Sequence, residues 1–123
     1  MNPFVSALLV TYNEEEYIKE SLLSLINQTY PRERYEIIVI DGMSEDQTMK
    51  IVNDLAGSYR QEGYCIRSLT NEKKVLAAGW NLGIRNARGE YVVRIDAHAK
   101  ACPDFIQKSV ETILSVTDSM FLF

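Results

Sequence analysis

YEIIVID, residues 35 to 41, decides the fold, because this nearly continuous apolar run ends in a single carboxylate. Short runs rich in Ile and Val are typical of a strand that is buried on both faces of a parallel sheet. The stretch 5–11 (VSALLVT) has the same character, and the stretch 90–96 (EYVVRID) predicts a more polar strand. A weaker strand is predicted over 64–69.

Helical patterns separate these strands. Apolar residues recur at a spacing near 3.6, which predicts helices over 14–27, 45–59, 72–86 and 103–114. Gly79 and Gly83 weaken the third helix by about 1 kcal/mol each relative to Ala. Strand–helix units in series predict an α/β fold, with a Rossmann-like, mostly parallel sheet and helices on both faces. Ligands of such sheets bind beyond the carboxyl ends of the strands, where the strand order reverses.

Length, charge and cysteine content narrow the class of protein. A chain of 123 residues with a net charge of −4 and no basic block predicts a single domain without a nucleic-acid partner. Cys65 and Cys102 have neither disulfide-framework nor metal-ligand spacing, which predicts two reduced, buried cysteines in a cytosolic protein. The N-terminal apolar run of about 8 residues is far too short to span a bilayer, and the first residues show neither the basic n-region nor the cleavage site of a secretory signal. We expect a cytoplasmic chain, with a membrane-associated partner at the inner face of the membrane.

Every predicted strand delivers polar side chains to the rim at its carboxyl end. They are Thr11, Tyr12, Asn13, Glu14, Asp41, Ser44, Asp46, Asn71, Lys74, Asp96 and His98, and Gly42 lies among them. An aromatic face such as that of Tyr12 stacks well on a planar base, and the Asp41 carboxylate can accept a hydrogen bond from a base N–H. Gly42 permits close backbone approach or a positive φ. Structural alternatives remain open, since Ser44 could cap the second helix and Asp41 could belong to an ordinary turn.

Asp96 and His98 form the most specific of these pairs. Residues i and i+2 of an extended segment project to the same side, so a carboxylate and an imidazole would converge there. Two such ligands make a partial site for Mn²⁺ or Mg²⁺ and leave positions open for substrate phosphates. The alternative is that Asp96 caps a turn and His98 is an ordinary surface residue.

Several blocks, in this order, resemble the family-2 glycosyltransferases, whose nucleotide-sugar-binding fold is called GT-A. They are VSALLVTYNEEEYI, SLINQTYP, EIIVIDGMSEDQT, AAGWNLGIRNARGEY and RIDAHA. The resemblance implies that the 11–14 turn and Asp41 hold the nucleoside of a nucleotide-diphosphate sugar, with a uridine nucleotide as the expected donor. Gly42, Ser44 and Asp46 would complete that pocket. The region from Asn71 to Asn81 would close over the donor, with Lys74 on the diphosphate.

The same resemblance assigns the metal and the chemistry. Asp96 and His98 occupy the family's D-x-D position, in the Asp-Ala-His form that is similar to bacterial exopolysaccharide transferases of the succinoglycan type. It implies an inverting glycosyltransferase of polysaccharide synthesis, which acts on a saccharide or lipid-linked acceptor. The general base of such enzymes lies well beyond the D-x-D, so we expect it beyond residue 123 and expect this chain to be the truncated, donor-binding half.

The sequence leaves one alternative function open and argues against another. A non-catalytic remnant of the fold, which binds a nucleotide or forms a homodimer without the general base, stays open. A receiver-like signalling domain would need an acidic pair after the first strand and an Asp after the third, and the sequence has Thr-Tyr-Asn and Thr-Asn there.

Overall fold

A computed structural model describes residues 2–120, and the side chains up to residue 115. Its strands are β1 (Val5–Thr11), β2 (Tyr35–Asp41), β3 (Cys65–Thr70) and β4 (Tyr91–Asp96). Its helices are α1 (Ile18–Ile26), α2 (Thr48–Arg60), α3 (Leu76–Asn86) and α4 (Phe105–Met120), and a short 3-10 turn (Arg32–Arg34) precedes β2.

The four strands form one parallel sheet in the order β3-β2-β1-β4. The chain runs outward from β1 to β3 and then crosses the sheet through α3 to reach β4 on the other side of β1. The strand order therefore reverses between β1 and β4, which is where such sheets bind ligands. The predicted α/β fold is confirmed.

The two faces of the sheet are covered unequally. On one face α1, α2 and α4 bury the larger core around Leu9, Ile37 and Val39. On the other face α3 alone covers Leu8, Ile38 and Ile40. This explains why β1 and β2 read as continuous apolar runs, because their alternate side chains are buried against opposite layers.

The glycines that weaken α3 as a helix let it lie close to the sheet. A Cβ atom on Gly83 would stand 2.7 Å from Ile40 Cδ1 and 2.9 Å from Leu8 Cδ1. A Cβ atom on Gly79 would stand 3.1 Å from Val10 Cγ1. Gly79 and Gly83 are four residues apart, so they lie on the same face of the helix.

A buried carboxylate joins the elements at the amino ends of the strands. Glu36 is fully buried, and it accepts hydrogen bonds from Ser6 Oγ (2.6 Å), Arg67 Nε (2.9 Å) and the Arg88 N–H (2.8 Å). Burial raises the pKa of Glu36, but the hydrogen bonds from Arg67, Ser6 and Arg88 outweigh it and hold the pKa below the ordinary value. We call Glu36, Ser6, Arg67 and Arg88 the amino-end network.

Several sequence expectations need correction. The first three helices begin three to four residues later than predicted, and α4 continues to Met120 instead of ending near 114. The cysteines are free, but Cys65 is only half-buried and Cys102 is exposed, so the expectation of two buried thiols was wrong. Within residues 2–120, no helix has the length and apolar character that a bilayer crossing requires.

Candidate functional site

The carboxyl ends of all four strands meet at one rim. Thr11 pairs in register with Asp41, Asp41 pairs with Thr70, and Val10 pairs with Asp96. The loops that leave β1, β2 and β3 therefore start side by side, and we call this edge the carboxyl rim.

Each of these three loops contains one non-glycine residue in the left-handed region. They are Asn13 (φ 50°), Met43 (φ 66°) and Lys74 (φ 61°). Asn tolerates this conformation, whereas Met and Lys adopt it at a cost in free energy. Gly42 does not have the positive φ that the sequence allowed it; its N–H donates to Thr11 O at 2.9 Å, and Met43 makes the turn.

Asp41 and Ser44 tie the first two loops together. Asp41 is largely buried, and it accepts hydrogen bonds from Ser44 Oγ (2.6 Å) and from the Ser44 N–H (3.1 Å). Ser44 Oγ in turn accepts from the Asn13 N–H at 2.8 Å, and Asn13 Oδ1 accepts from the Glu45 N–H at 2.8 Å. The alternative of Ser44 as the N-cap of α2 is wrong, because Gln47 occupies that position.

Asp46 holds the loop after β1 against the start of α2. Its carboxylate accepts hydrogen bonds from the Glu15 N–H (3.2 Å) and the Thr48 N–H (2.9 Å), while Thr48 Oγ1 accepts from the Glu14 N–H at 2.9 Å. Desolvation raises the pKa of Asp46, but the hydrogen bonds from Thr48 and Glu15 outweigh it and lower the pKa from its ordinary value. The negative charge therefore persists and anchors the start of α2 to the loop after β1.

A cleft of about 240 Å³ opens between these loops and the end of β4, and we call it the donor cleft after the role that the sequence predicts for it. It is lined by Val10, Thr11, Tyr12, Glu14, Gly42, Asn71, Lys74, Leu76, Asp96, Ala97 and His98. Asn13, Asp41, Ser44 and Asp46 do not line it but hold its loops in place. Asn81 lies apart, in a separate cleft on α3 with Lys73 and Arg85. The roles of all these residues in binding a ligand stay predictions.

The open wall of the cleft carries an aromatic ring and a cation. Tyr12 is 45% exposed, so part of its ring is accessible to a ligand. Lys74 Nζ lies 5.9 Å from the centroid of the Tyr12 ring, within the range of a cation–π contact. Deeper in the wall, the Thr11 hydroxyl is buried without a hydrogen-bond partner among the described residues, whereas Asn71 is buried and donates to Val75 O at 3.0 Å.

Asp96 and His98 reach the cleft by a different route from the one predicted. β4 ends at Asp96, and the next residues form a turn that is closed by the Ala99 N–H donating to Asp96 O at 3.0 Å. The premise of an extended i, i+2 pair is therefore wrong, although both residues line the cleft. His98 Nδ1 lies 3.6 Å from Glu14 Oε1, which links the loop after β4 to the loop after β1.

The residues at this position fit a divalent cation that is shared with a substrate. The described residues contain no group of three side chains of the His, Cys, Asp and Glu types that could hold a metal. Asp96 and His98 supply one hard oxygen donor and one imidazole. Because two protein ligands leave most of the coordination sphere open, oxygens of a phosphate substrate would have to complete it, as is common for Mg²⁺ and Mn²⁺.

A second cleft, of about 410 Å³, adjoins the donor cleft, and sequence reasoning missed it. The two clefts share Leu76 and Asp96, and Trp80, Arg94, Ile95 and Ala99 line the rest of the second one. Arg94 Cζ lies 5.1 Å from the centroid of the Trp80 ring. One feature of the sequence could have indicated this cleft: Arg94 is a cation inside a strand that is otherwise apolar up to its last residue.

Comparison with known protein families assigns the chain to one of them. The family model described as glycosyl transferase family 2 matches residues 6–121, nearly the whole chain. The chain belongs to glycosyl transferase family 2. The family-2 resemblance that the sequence blocks indicated is therefore confirmed, and so is the GT-A relationship of the fold.

Similar family-2 proteins come from archaea and bacteria. The chain is 38% identical over 109 residues to the dolichyl N-acetyl-α-D-glucosaminyl phosphate 3-β-D-2,3-diacetamido-2,3-dideoxy-β-D-glucuronosyltransferase of Methanococcus voltae. Among solved structures, it superposes with a TM-score of 0.83 and 31% identity on the mannosyltransferase PcManGT from Pyrobaculum calidifontis, in complex with GDP-Man and Mn²⁺. It superposes with a TM-score of 0.73 and 26% identity on S. aureus TarS 1-349 in complex with UDP-GlcNAc.

These matches cover most of this chain but a minority of each relative. The coverage of this chain is 89%, 90% and 91%, and the chain spans 33%, 32% and 31% of the three proteins, about a third of their length.

Proposed function

We propose that this chain binds the donor of an inverting glycosyltransferase, a nucleotide-diphosphate sugar, and that a uridine nucleotide is the preferred donor. The observation that carries the proposal is the donor cleft itself. It joins Tyr12, Lys74, Asp96 and His98 at the point where the strand order reverses. The solved relatives support the donor class, since one is in complex with GDP-Man and another with UDP-GlcNAc.

The nucleoside would bind at the end of the cleft between β1 and β2. The exposed part of the Tyr12 ring can stack on a base, and such stacking contributes about 1–3 kcal/mol. Asp41 can accept a base N–H with the lone pairs that Ser44 leaves free, and its carboxylate is already oriented by two hydrogen bonds. Asn13, Glu14, Gly42, Ser44 and Asp46 would set the shape of this end.

The diphosphate would bind next to Asp96. Asp96 and His98 would hold Mn²⁺ or Mg²⁺, which when bound neutralises charge on the departing diphosphate. Lys74 brings a flexible cation from the opposite wall, where its Nζ lies 5.9 Å from the centroid of the Tyr12 ring. Thr11 and Asn71 complete the proposed donor contacts, whereas Asn81, which the sequence predicted as a further contact, lines a separate cleft.

The acceptor would enter from outside the described residues. An inverting transfer needs a general base to deprotonate the acceptor hydroxyl, and we place that Asp or Glu beyond residue 123. A saccharide or lipid-linked acceptor in polysaccharide synthesis is proposed, and the dolichyl-linked acceptor in the name of the Methanococcus voltae relative supports the lipid-linked form. Cytoplasmic location, a membrane-associated partner and a homodimer stay predictions.

Calorimetric titration of the chain with UDP tests the proposal. Binding should be about tenfold or more tighter with Mn²⁺ than with EDTA, because the ion bridges the carboxylate and the diphosphate. Asp96→Ala should remove that difference. Asp54→Ala, which removes an exposed carboxylate far from the cleft, is the matched control and should leave it unchanged. UDP binding that ignores both Mn²⁺ and Asp96→Ala would refute the metal-bridged donor site.

A further inference from the structure

The second cleft lies where the far end of a donor would emerge. If the nucleoside lies near Asp41 and the diphosphate near Asp96, as proposed above, the sugar must continue past Asp96. The second cleft shares Asp96 and Leu76 with the donor cleft and adds Trp80 and Arg94, so it gives the sugar a continuing wall. The donor cleft of about 240 Å³ is also smaller than the roughly 300–1,000 Å³ of typical ligand sites, so a complete donor needs this additional space.

Arg94 presents a fixed positive charge in this cleft. Its guanidinium lies 5.1 Å from the centroid of the Trp80 ring, and it forms no ion pair with any carboxylate of the described residues. Trp80 is half-buried and packs on the small core under α3, so its ring is a rigid support. The contact with Trp80 reduces the number of side-chain conformations that Arg94 loses when it binds a ligand.

Arg67, on β3 at the other edge of the sheet, is an example of a paired arginine in this protein. Arg67 donates to the fully buried Glu36 at 2.9 Å and also to Asn86 O. Arg94 has an aromatic support but no acceptor among the residues that the structure describes, although it lies two residues before Asp96. In the proposed complex the Asp96 carboxylate binds the cation, which leaves Arg94 without a negative partner until a substrate brings one.

We propose that Arg94, supported by Trp80, binds an oxyanion carried by a sugar substrate and so selects an acidic saccharide. A planar guanidinium can hold a carboxylate or a phosphate through two parallel hydrogen bonds. The oxyanion has two sources of the same chemistry: a carboxylate on the donor sugar, or a phosphate on the acceptor. This inference rests on the donor site proposed above and adds to it a substrate class.

The first arm of the test compares donors. Trp80 is the single tryptophan of the chain, so its fluorescence reports directly on this cleft. With Mn²⁺ present, UDP-glucuronate should bind about tenfold more tightly than UDP-glucose and change the Trp80 emission more strongly. Arg94→Gln should abolish the preference while leaving the affinity for UDP unchanged, and Arg94→Lys should keep part of it because the charge remains.

The second arm examines the acceptor side. The chain is saturated with UDP and Mn²⁺ and titrated with N-acetylglucosamine 1-phosphate, and with N-acetylglucosamine as the uncharged reference. If the oxyanion is a phosphate on the acceptor, only N-acetylglucosamine 1-phosphate should bind, and Arg94→Gln should lose that binding. Arg85→Gln is the matched control for both arms, because it removes an arginine of α3 that lines a different cleft.

The two arms separate the sources and can each fail. A preference for UDP-glucuronate assigns the oxyanion to the donor, and selective binding of the sugar phosphate assigns it to the acceptor. If UDP binds but neither arm shows a preference, or if Arg94→Gln retains it, the oxyanion site is refuted while the donor site stands. If UDP itself does not bind, the donor site fails and the oxyanion site fails with it.

Discussion

The two ends of the same sheet use charged residues in opposite ways. At the amino end, Glu36 is fully buried and accepts three hydrogen bonds within the amino-end network. At the carboxyl rim, Asp96, His98, Lys74 and Arg94 are exposed, and their described contacts are few and long. The charges of the amino end stabilise the fold, and those of the carboxyl rim remain available to a ligand.

This difference also explains which parts of the structure the sequence could predict. The sequence predicted the strands to within one residue. Strands β1 and β2 are buried on both faces, and their nearly continuous apolar composition reflects this burial. The helix starts were predicted three to four residues too early at 14, 45 and 72. The helical periodicity continues into loops that turn through Asn13, Met43 and Lys74, and local sequence does not reveal a left-handed Met or Lys.

The candidate site could be predicted in its residue types but not in its geometry. Strand-end rules brought Tyr12, Lys74, Asp96 and His98 to one rim. They could not show that a turn carries His98, or that Asn81 faces another cleft, because these depend on where the chain bends after each strand ends. The pairing of Arg94 with Trp80 joins β4 to α3, and no local pattern encodes such a contact.

The largest effect on stability is expected from removing the buried charge at the amino end of the sheet. Glu36→Ala should lower the free energy of unfolding by about 3–5 kcal/mol, because it leaves Arg67 partly buried and unpaired. Urea unfolding followed by circular dichroism measures the change. Glu62→Ala, in the exposed turn after α2, is the control and should stay within about 0.5 kcal/mol of the parent. A loss below 1 kcal/mol for Glu36→Ala would contradict the structural role of the network.

The second largest effect on stability is expected where α3 packs closely on the sheet, between its two ends. Gly83→Ala should destabilise the chain by about 1–3 kcal/mol, because its Cβ would overlap Ile40 and Leu8. Gly57→Ala in α2 is the matched control: its Cβ would meet nothing within 4 Å, so it should stabilise the chain by about 0.5–1 kcal/mol. Thermal unfolding compares the two. An equal shift in both variants would show that α3 does not lie as close as described.

Acid should weaken the amino-end network. Because the pKa of Glu36 is lowered in the folded chain, its contribution is fully present above the unfolded pKa, near 4.5, and is lost as the pH falls through the lower folded value. The difference in unfolding free energy between the parent and Glu36→Gln should therefore shrink below about pH 4.5. Urea titrations between pH 3 and 7 measure it. A difference that is constant over this range would contradict the lowered pKa.

The smallest effect is expected from the loops of the carboxyl rim. Ser44→Ala removes the hydroxyl that joins Asp41 to Asn13, and should cost about 1 kcal/mol of stability. It should weaken UDP binding several-fold, because Asp41 loses the hydroxyl hydrogen bond and is oriented only by the backbone N–H of residue 44. Ser58→Ala, on the exposed side of α2, is the control for both calorimetry and unfolding. Unchanged UDP affinity in Ser44→Ala would remove Asp41 from the proposed nucleoside site.

The most direct measurement is a crystal structure of the chain with UDP and Mn²⁺, with the anomalous signal used to locate the ion. The account predicts one manganese peak between Asp96, His98 and the diphosphate, with the uracil ring against Tyr12 and next to Asp41. A nucleotide bound elsewhere, or a manganese ion that contacts neither Asp96 nor His98, would contradict it.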